Sequence, residues 1–338
     1  LRIFWLIISS LIWGVGCTPA PTEIYNEYQS RLANVVDKAP ATQDVTLQVL
    51  ETPSLDKPVS KTTISFLELA SLDHCKLMNT IAKNNNQLGK VRQPSEQLKY
   101  ALRFIKQTQS CLADSEQLDP ELKAKLNSAL DEKRLQLPQY VERMIFHERE
   151  LAKMSLLSGQ EIELEDHKDA MNQSLEALAQ LANAYKQIRS SEFDISQLDE
   201  PEEFTRSLAK LNNNHFVSRL INSARKQTAL NNITTRWLGT IDISNDLCKP
   251  GRNHEQANIL SNVFNRFYLS QLQAYQSKLA NMLHSTSIHL YVLWQSSHEL
   301  STLFNVEQQQ SYYQQLKAST VEHVKWWQVF YKTCKIQP

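Results

Sequence analysis

The chain has 338 residues, enough for one large domain or two smaller ones, and its 36 basic residues balance 36 acidic ones. That balance leaves no general field to attract nucleic acid or an anionic membrane surface, so no nucleic-acid partner is expected. Only 6 glycines occur; Rossmann, P-loop and tight-turned β folds need more, because they require positive φ or close backbone approach. Abundant Leu, Gln, Ala, Lys and Glu point instead to helices.

At the amino end one basic residue, Arg2, precedes an apolar run from Ile3 to Val15. The run is shorter than the roughly 20 residues needed to span a bilayer and has the length of a signal-peptide hydrophobic region. Gly14-Val15-Gly16-Cys17 resembles the bacterial lipobox. The resemblance implies cleavage after Gly16 and acylation of Cys17 on its sulfur and its new amino group. Membrane lipid would then hold the chain through several acyl groups, since a single one binds only reversibly. Thr18 stands where an aspartate resembles an inner-membrane retention signal, so the expected location is the Gram-negative outer membrane, facing the periplasm. The alternative is an ordinary secretory signal with Cys17 paired to another cysteine.

Thr22 is placed to cap a helix with the stripe Ile24, Tyr28, Leu32, Val35 and Val36, ending near Ala39-Pro40. Residues 41–62, with Pro53, Pro58 and the alternating Val45–Val49, read as a surface linker containing a short extended piece. The expected partition is therefore a signal peptide over 1–16, a lipid-anchored helix and linker over 17–62, and a helical domain over 63–338. A subdivision of that domain is placed near 190–200.

Within the domain, Ile64–Ile81 carries a helical stripe that ends at Asn84-Asn85-Asn86 and Gly89. Pro94-Ser95 opens a partner helix through Leu98, Leu102, Ile105 and Cys111. Asp119-Pro120 starts a helix that runs to Leu157, interrupted or kinked at Pro138. Asp166 with Asp169 approaches a capping box ahead of Leu175, Leu178, Leu181 and Tyr185. Glu200-Pro201 starts the next helix, with Asn212-Asn213-Asn214 as a break before Leu220-Ile221. After the turn Cys248–Gly251, Asn253 opens a long helix through Leu283 to Trp294, broken near His284. A last helix covers 309–331. The fold class is all-α: a multi-helix, bundle-like array of antiparallel helices, with two packed subdomains as an option and a short extended segment near the amino end.

Apart from Cys17 there are four cysteines, an even number in an exported chain, which suggests two disulfides with three connectivities. Cys75–Cys111 is favoured because antiparallel helices bring the early turns of one beside the late turns of the other. Cys248–Cys334 would then pin the carboxyl tail. Unpaired buried thiols are the alternative.

No catalytic constellation is visible. His284, His289 and His298 do not share one helical face, His147-Glu148-Arg149-Glu150 reads as a solvated face with local pairs, and Glu161–Asp166 lacks calcium-loop spacing. No metal, cofactor or catalytic residue is expected, and no GxSxG elbow occurs. Trp326, Trp327 and Tyr331 read as the cap of a core or as a partner platform. Asn84, Asn85, Asn86 and Gln87 form the most distinctive polar run, explicable by tight turns or by a carboxamide loop that binds a peptide or sugar.

The stretch Cys75–Val91 with Pro94–Tyr100 resembles the signature of DUF3080, a family of gammaproteobacterial lipoproteins of unknown function, and Arg31–Val35 and Cys111-Leu112 extend the likeness. That resemblance implies an envelope location and supplies no activity. The leading expectation is a periplasm-facing lipoprotein that acts as a binding or structural module, with an envelope protein or peptide as partner. The alternatives are an envelope-active hydrolase and a carrier of an apolar ligand.

Overall fold

A computed structural model describes residues 20–41, 45–85, 92–114, 118–163, 168–198, 201–249 and 254–338. The apolar run, Cys17, Asn86, Gln87 and the helix starts expected at Asp166 and Asn253 lie outside these residues. Every regular element among the described residues is helical, as the glycine-poor composition requires.

Helix α1, Pro21–Val36, begins two residues earlier than expected, with Ala20 at the cap and the Glu23 carboxylate accepting from the Ala20 N–H at 3.0 Å. Thr22 does not cap it; its N–H and hydroxyl donate to Glu161 instead. Ile24, Tyr25, Tyr28 and Leu32 are buried against the carboxyl-terminal helices. The helix is thus part of the core, whereas a domain starting near Thr63 would leave it outside. The reason is its four-residue apolar stripe, which no tether would bury.

Residues 45–63 form neither strand nor helix. They make an extended strap along helix α5, Pro120–His147. Leu55 N–H donates to His147 Nε2 at 3.2 Å, the Gln136 side chain donates to Val59 O at 2.8 Å, and Lys61 N–H donates to Glu132 at 2.7 Å. The strap therefore runs opposite to α5. Side chains supply the partners that its backbone lacks in any ladder.

The helix expected over 64–81 is two: α2, Phe66–Ala70, and α3, Lys76–Asn85. Ser71 returns its hydroxyl to the Glu68 carbonyl at 2.8 Å, a local bond that competes with helix continuation. The turn lets Leu72 and Cys75 both face inward. Helix α4, Pro94–Ala113, packs on α3 and α5. Pro138 lies inside α5 without ending it; the break comes at Glu148, before α6, Arg149–Ala152.

Beyond it come α7 (Lys168–Arg189), α8 (Glu202–Leu211), α9 (Phe216–Leu238) and α10 (Glu255–Val263). They are followed by α11 (Gln273–Leu293), α12 (His298–Phe304) and α13 (Tyr312–Cys334). Phe264–Leu272 joins α10 to α11 as a wide π-helical stretch, and no break occurs at His284. Asn213, at φ 55°, breaks α8 from α9 as the Asn run suggested. Helix α7 packs on α8, α9 and α11, and the buried side chains of α7 and α8 belong to one cluster.

Buried side chains form a large cluster on α4, α5, α7, α9 and α11 and two smaller ones. Each smaller cluster carries a disulfide, Cys75–Cys111 in one and Cys248–Cys334 in the other, with Cα separations of 5.6 and 5.2 Å.

Candidate functional site

Asn84 and Asn85, the described half of the polar run, line a cleft of about 240 Å³. One wall is the strap, through Ser60, Thr62 and Thr63; the others are the end of α3, Tyr100 and Phe104 of α4, and Lys133 of α5. Glu132 holds the strap wall in place. Its carboxylate accepts from Lys61 N–H at 2.7 Å, from Thr62 N–H at 3.2 Å and from the Thr62 hydroxyl at 3.0 Å. Burial pushes its carboxyl upward, and these donors more than reverse that, holding it below the ordinary value. Arg92 fixes the α3 wall, donating to Asn84 Oδ1 at 3.1 Å and to the Lys83 carbonyl at 2.7 Å, where the helix exposes its negative end.

Lys133 is only 6% exposed. Its ammonium donates to the Tyr140 hydroxyl at 2.9 Å and reaches Gln136 Oε1 at 3.5 Å, and it lies 5.2 Å from the Tyr140 ring centre. The Tyr100 hydroxyl is pushed up to about 12, first by burial and then by Tyr140, so the cleft presents a neutral phenol.

A second cleft, of about 560 Å³, opens over the Cys75–Cys111 disulfide between His74, Lys76, Arg103, Lys106 and Asp114. The His74 ring and both sulfurs have ligand atoms within 4.8 Å of one another. The sulfurs are bonded to each other, which removes the thiolates that a metal would need. Neither cleft is lined throughout by apolar side chains, as carriage of an apolar ligand would require.

The aromatic group at the carboxyl end is core packing. Trp327 is buried, stacks on Phe264 with centroids 4.2 Å apart and donates its Nε1–H to the Tyr28 hydroxyl at 3.1 Å. Trp326 stacks on Phe330, and the Tyr331 hydroxyl bonds Ser261 at 2.9 Å; both are half-buried beside Cys334. Of the three histidines close in sequence, His284 packs edge-on to Tyr313, and His284 and His298 are exposed.

A family model described as a protein of unknown function, DUF3080, matches residues 25–338. The chain belongs to the DUF3080 family. No curated protein and no solved structure matches it.

Sequence reasoning passed over two features of this DUF3080 domain. One is Lys133, which sits at helical spacing in the buried stripe Leu126, Ala129, Leu130, Leu137, Tyr140. A charge inside an apolar stripe was the available signal. The other is a buried polar network between α1, α9, α11 and α13. Asn231 accepts from Tyr25 at 2.8 Å and from Gln276 Nε2 at 3.1 Å, and it donates to Gln276 Oε1 and Ser319. His323 lies against Tyr28 and Thr235. The charges at 147–150 also differ from the expected solvated face. Glu148 is buried and accepts from Ser95 N–H at 2.7 Å, capping α4, and burial raises its carboxyl.

Proposed function

We propose that this protein is an envelope lipoprotein, anchored through acylated Cys17 at the outer membrane and facing the periplasm. Its helical domain binds a small ligand or a short peptide segment in the cleft at Asn84 and Asn85. The cleft carries this reading. It is built from four separate segments, and its polar walls are fixed by Glu132 and Arg92 rather than left to loops. Two disulfides support an oxidising compartment, and the lipobox-like Gly14-Val15-Gly16-Cys17 supports the anchor.

Two measurements test it. Labelling of growing cells with an alkynyl palmitate should mark the wild-type chain and spare Cys17→Ser; equal labelling overturns the anchor. Native mass spectrometry of the full chain, extracted from membranes, should show a co-purifying adduct. The adduct should be absent from Thr63→Trp, which places a large ring at an exposed position on the cleft wall. An adduct of equal abundance in both proteins, or in neither, overturns the binding role.

A further inference from the structure

Among the described residues two lysines are buried, in opposite circumstances. Lys99 pairs with Glu96 and donates to the Thr205 hydroxyl at 2.7 Å, so its charge is compensated. Lys133, equally shielded from water, has only neutral acceptors, a phenol and a carboxamide, and no carboxylate of a described residue lies within ion-pair distance. Glu132, its sequence neighbour, is engaged by the strap. An ammonium withdrawn from water without a counter-charge is costly, and an incoming anion would offset that cost. Lys133 is also a wall of the cleft.

We infer that the cleft takes a small hydroxylated anion, its charged group seated against the Lys133 ammonium. The rest of the cleft fits such a ligand. Thr62, Thr63 and the Asn84 and Asn85 carboxamides offer hydrogen bonds to hydroxyl groups, and Tyr100 adds a neutral phenol. A volume of about 240 Å³ falls below the ~300–1,000 Å³ of clefts for drug-sized ligands, which limits the ligand to monosaccharide size. Carboxylate and phosphate both meet a lysine as a point charge, so the shared chemistry is the anion on a polyhydroxylated body. This inference rests on the cleft being the binding site.

The test is thermal melting of the full chain in detergent with glucuronate, glucose 6-phosphate or glucose, each at about 10 mM. At least one anion should raise the melting temperature by about 3 °C while glucose does not, and which anion acts distinguishes carboxylate from phosphate. Lys133→Met should melt at the wild-type temperature or above without ligand, because it removes an uncompensated charge, and should lose the anion response. Thr63→Trp should lose it too. If glucose acts as strongly as the anions, or Lys133→Met keeps the full response, the charge argument fails while binding in the cleft stands. If none of the three ligands shifts the wild type, both fail. The comparison of anion with glucose on wild-type protein decides the charge question even if Lys133→Met does not fold.

Discussion

The His323 ring has its proton assigned by its neighbours. Trp327 Nε1–H can only donate, and it donates to the Tyr28 hydroxyl at 3.1 Å. The Tyr28 proton is thereby directed to His323 Nε2, 2.9 Å away, so Nδ1 carries the ring's proton and donates to Thr235 Oγ1 at 3.0 Å. A second proton would create a buried cation facing phenol and indole, and burial lowers the imidazole from 6.5 to about 3. The unfolded chain therefore binds this proton more readily than the folded one between those values, and stability falls as pH drops through that window. From pH 7 to pH 5 the loss is about 2 kcal/mol. Glu148, raised by burial, acts in the opposite sense, since its folded form holds a proton more tightly as pH falls towards the ordinary range. Comparing variants separates the two: urea unfolding of His323→Gln should lack about 2 kcal/mol of the wild-type drop between pH 7 and pH 5. An unchanged drop would place the titration elsewhere. Asn231→Leu should cost roughly 2 kcal/mol in the same assay, because it takes the acceptor from the buried Tyr25 hydroxyl, while the Gln276 carboxamide keeps Gln227, Tyr268 and Thr320.

Helices declared themselves in the sequence wherever an apolar stripe met a proline or asparagine stop. Thus α4 starts at Pro94, α5 at Pro120 and α8 just after Pro201, as composition and capping indicate. The hairpin logic that joined Cys75 to Cys111 was local enough to be read from spacing. What stayed hidden depends on contacts distant in sequence. Beyond the alternating Val45–Val49 the strap has no periodicity of its own and is ordered by Glu132, Gln136, Arg143 and His147 on α5. The π-helical stretch Phe264–Leu272 carries the same apolar residues as an ordinary helix. Of the candidate site, Asn84 and Asn85 were legible as an unusual polar run, whereas Lys133 gains its meaning only from a buried position without a carboxylate. The strap also yields a prediction at this scale. Glu132→Ala removes the acceptor of three donors, so limited proteolysis should cut between residues 45 and 63 faster than in wild type, with a stability loss of about 1–3 kcal/mol. Because the folded Glu132 carboxyl lies below its ordinary value of 4.5, its contribution is complete above that pH and is lost as pH falls through the depressed value. Wild-type cleavage in the strap should therefore differ from that of the variant at pH 7 and approach it as pH falls below 4.5 through the depressed value. Equal protection at pH 7 would show that Glu132 does not hold the strap.

The molecule as a whole distributes its covalent links unevenly. The largest cluster of buried side chains contains no cysteine, and each of the two smaller ones is closed by a disulfide. Small cores bury too little apolar surface to offset chain entropy comfortably, which is where a cross-link adds most. Loop closure over separations of 36 and 86 residues gives idealised contributions of about 4 and 4.5 kcal/mol. The two losses should be local as well as energetic, because α3 meets the remainder chiefly through α4, while the end of α13 meets the turn at Ile243–Leu247. Hydrogen exchange on Cys75→Ala/Cys111→Ala should show faster exchange over 71–85 with α7 and α11 still protected. Since the end of α3 is a wall of the cleft, that variant should also lose any response to a cleft ligand. Cys248→Ala/Cys334→Ala should instead loosen residues 243–248 and the last turns of α13, and it should leave the cleft response intact. Uniform loss of protection in both variants would mean that the three clusters unfold as one cooperative unit, with the disulfides acting on the whole chain rather than on the cluster each one closes.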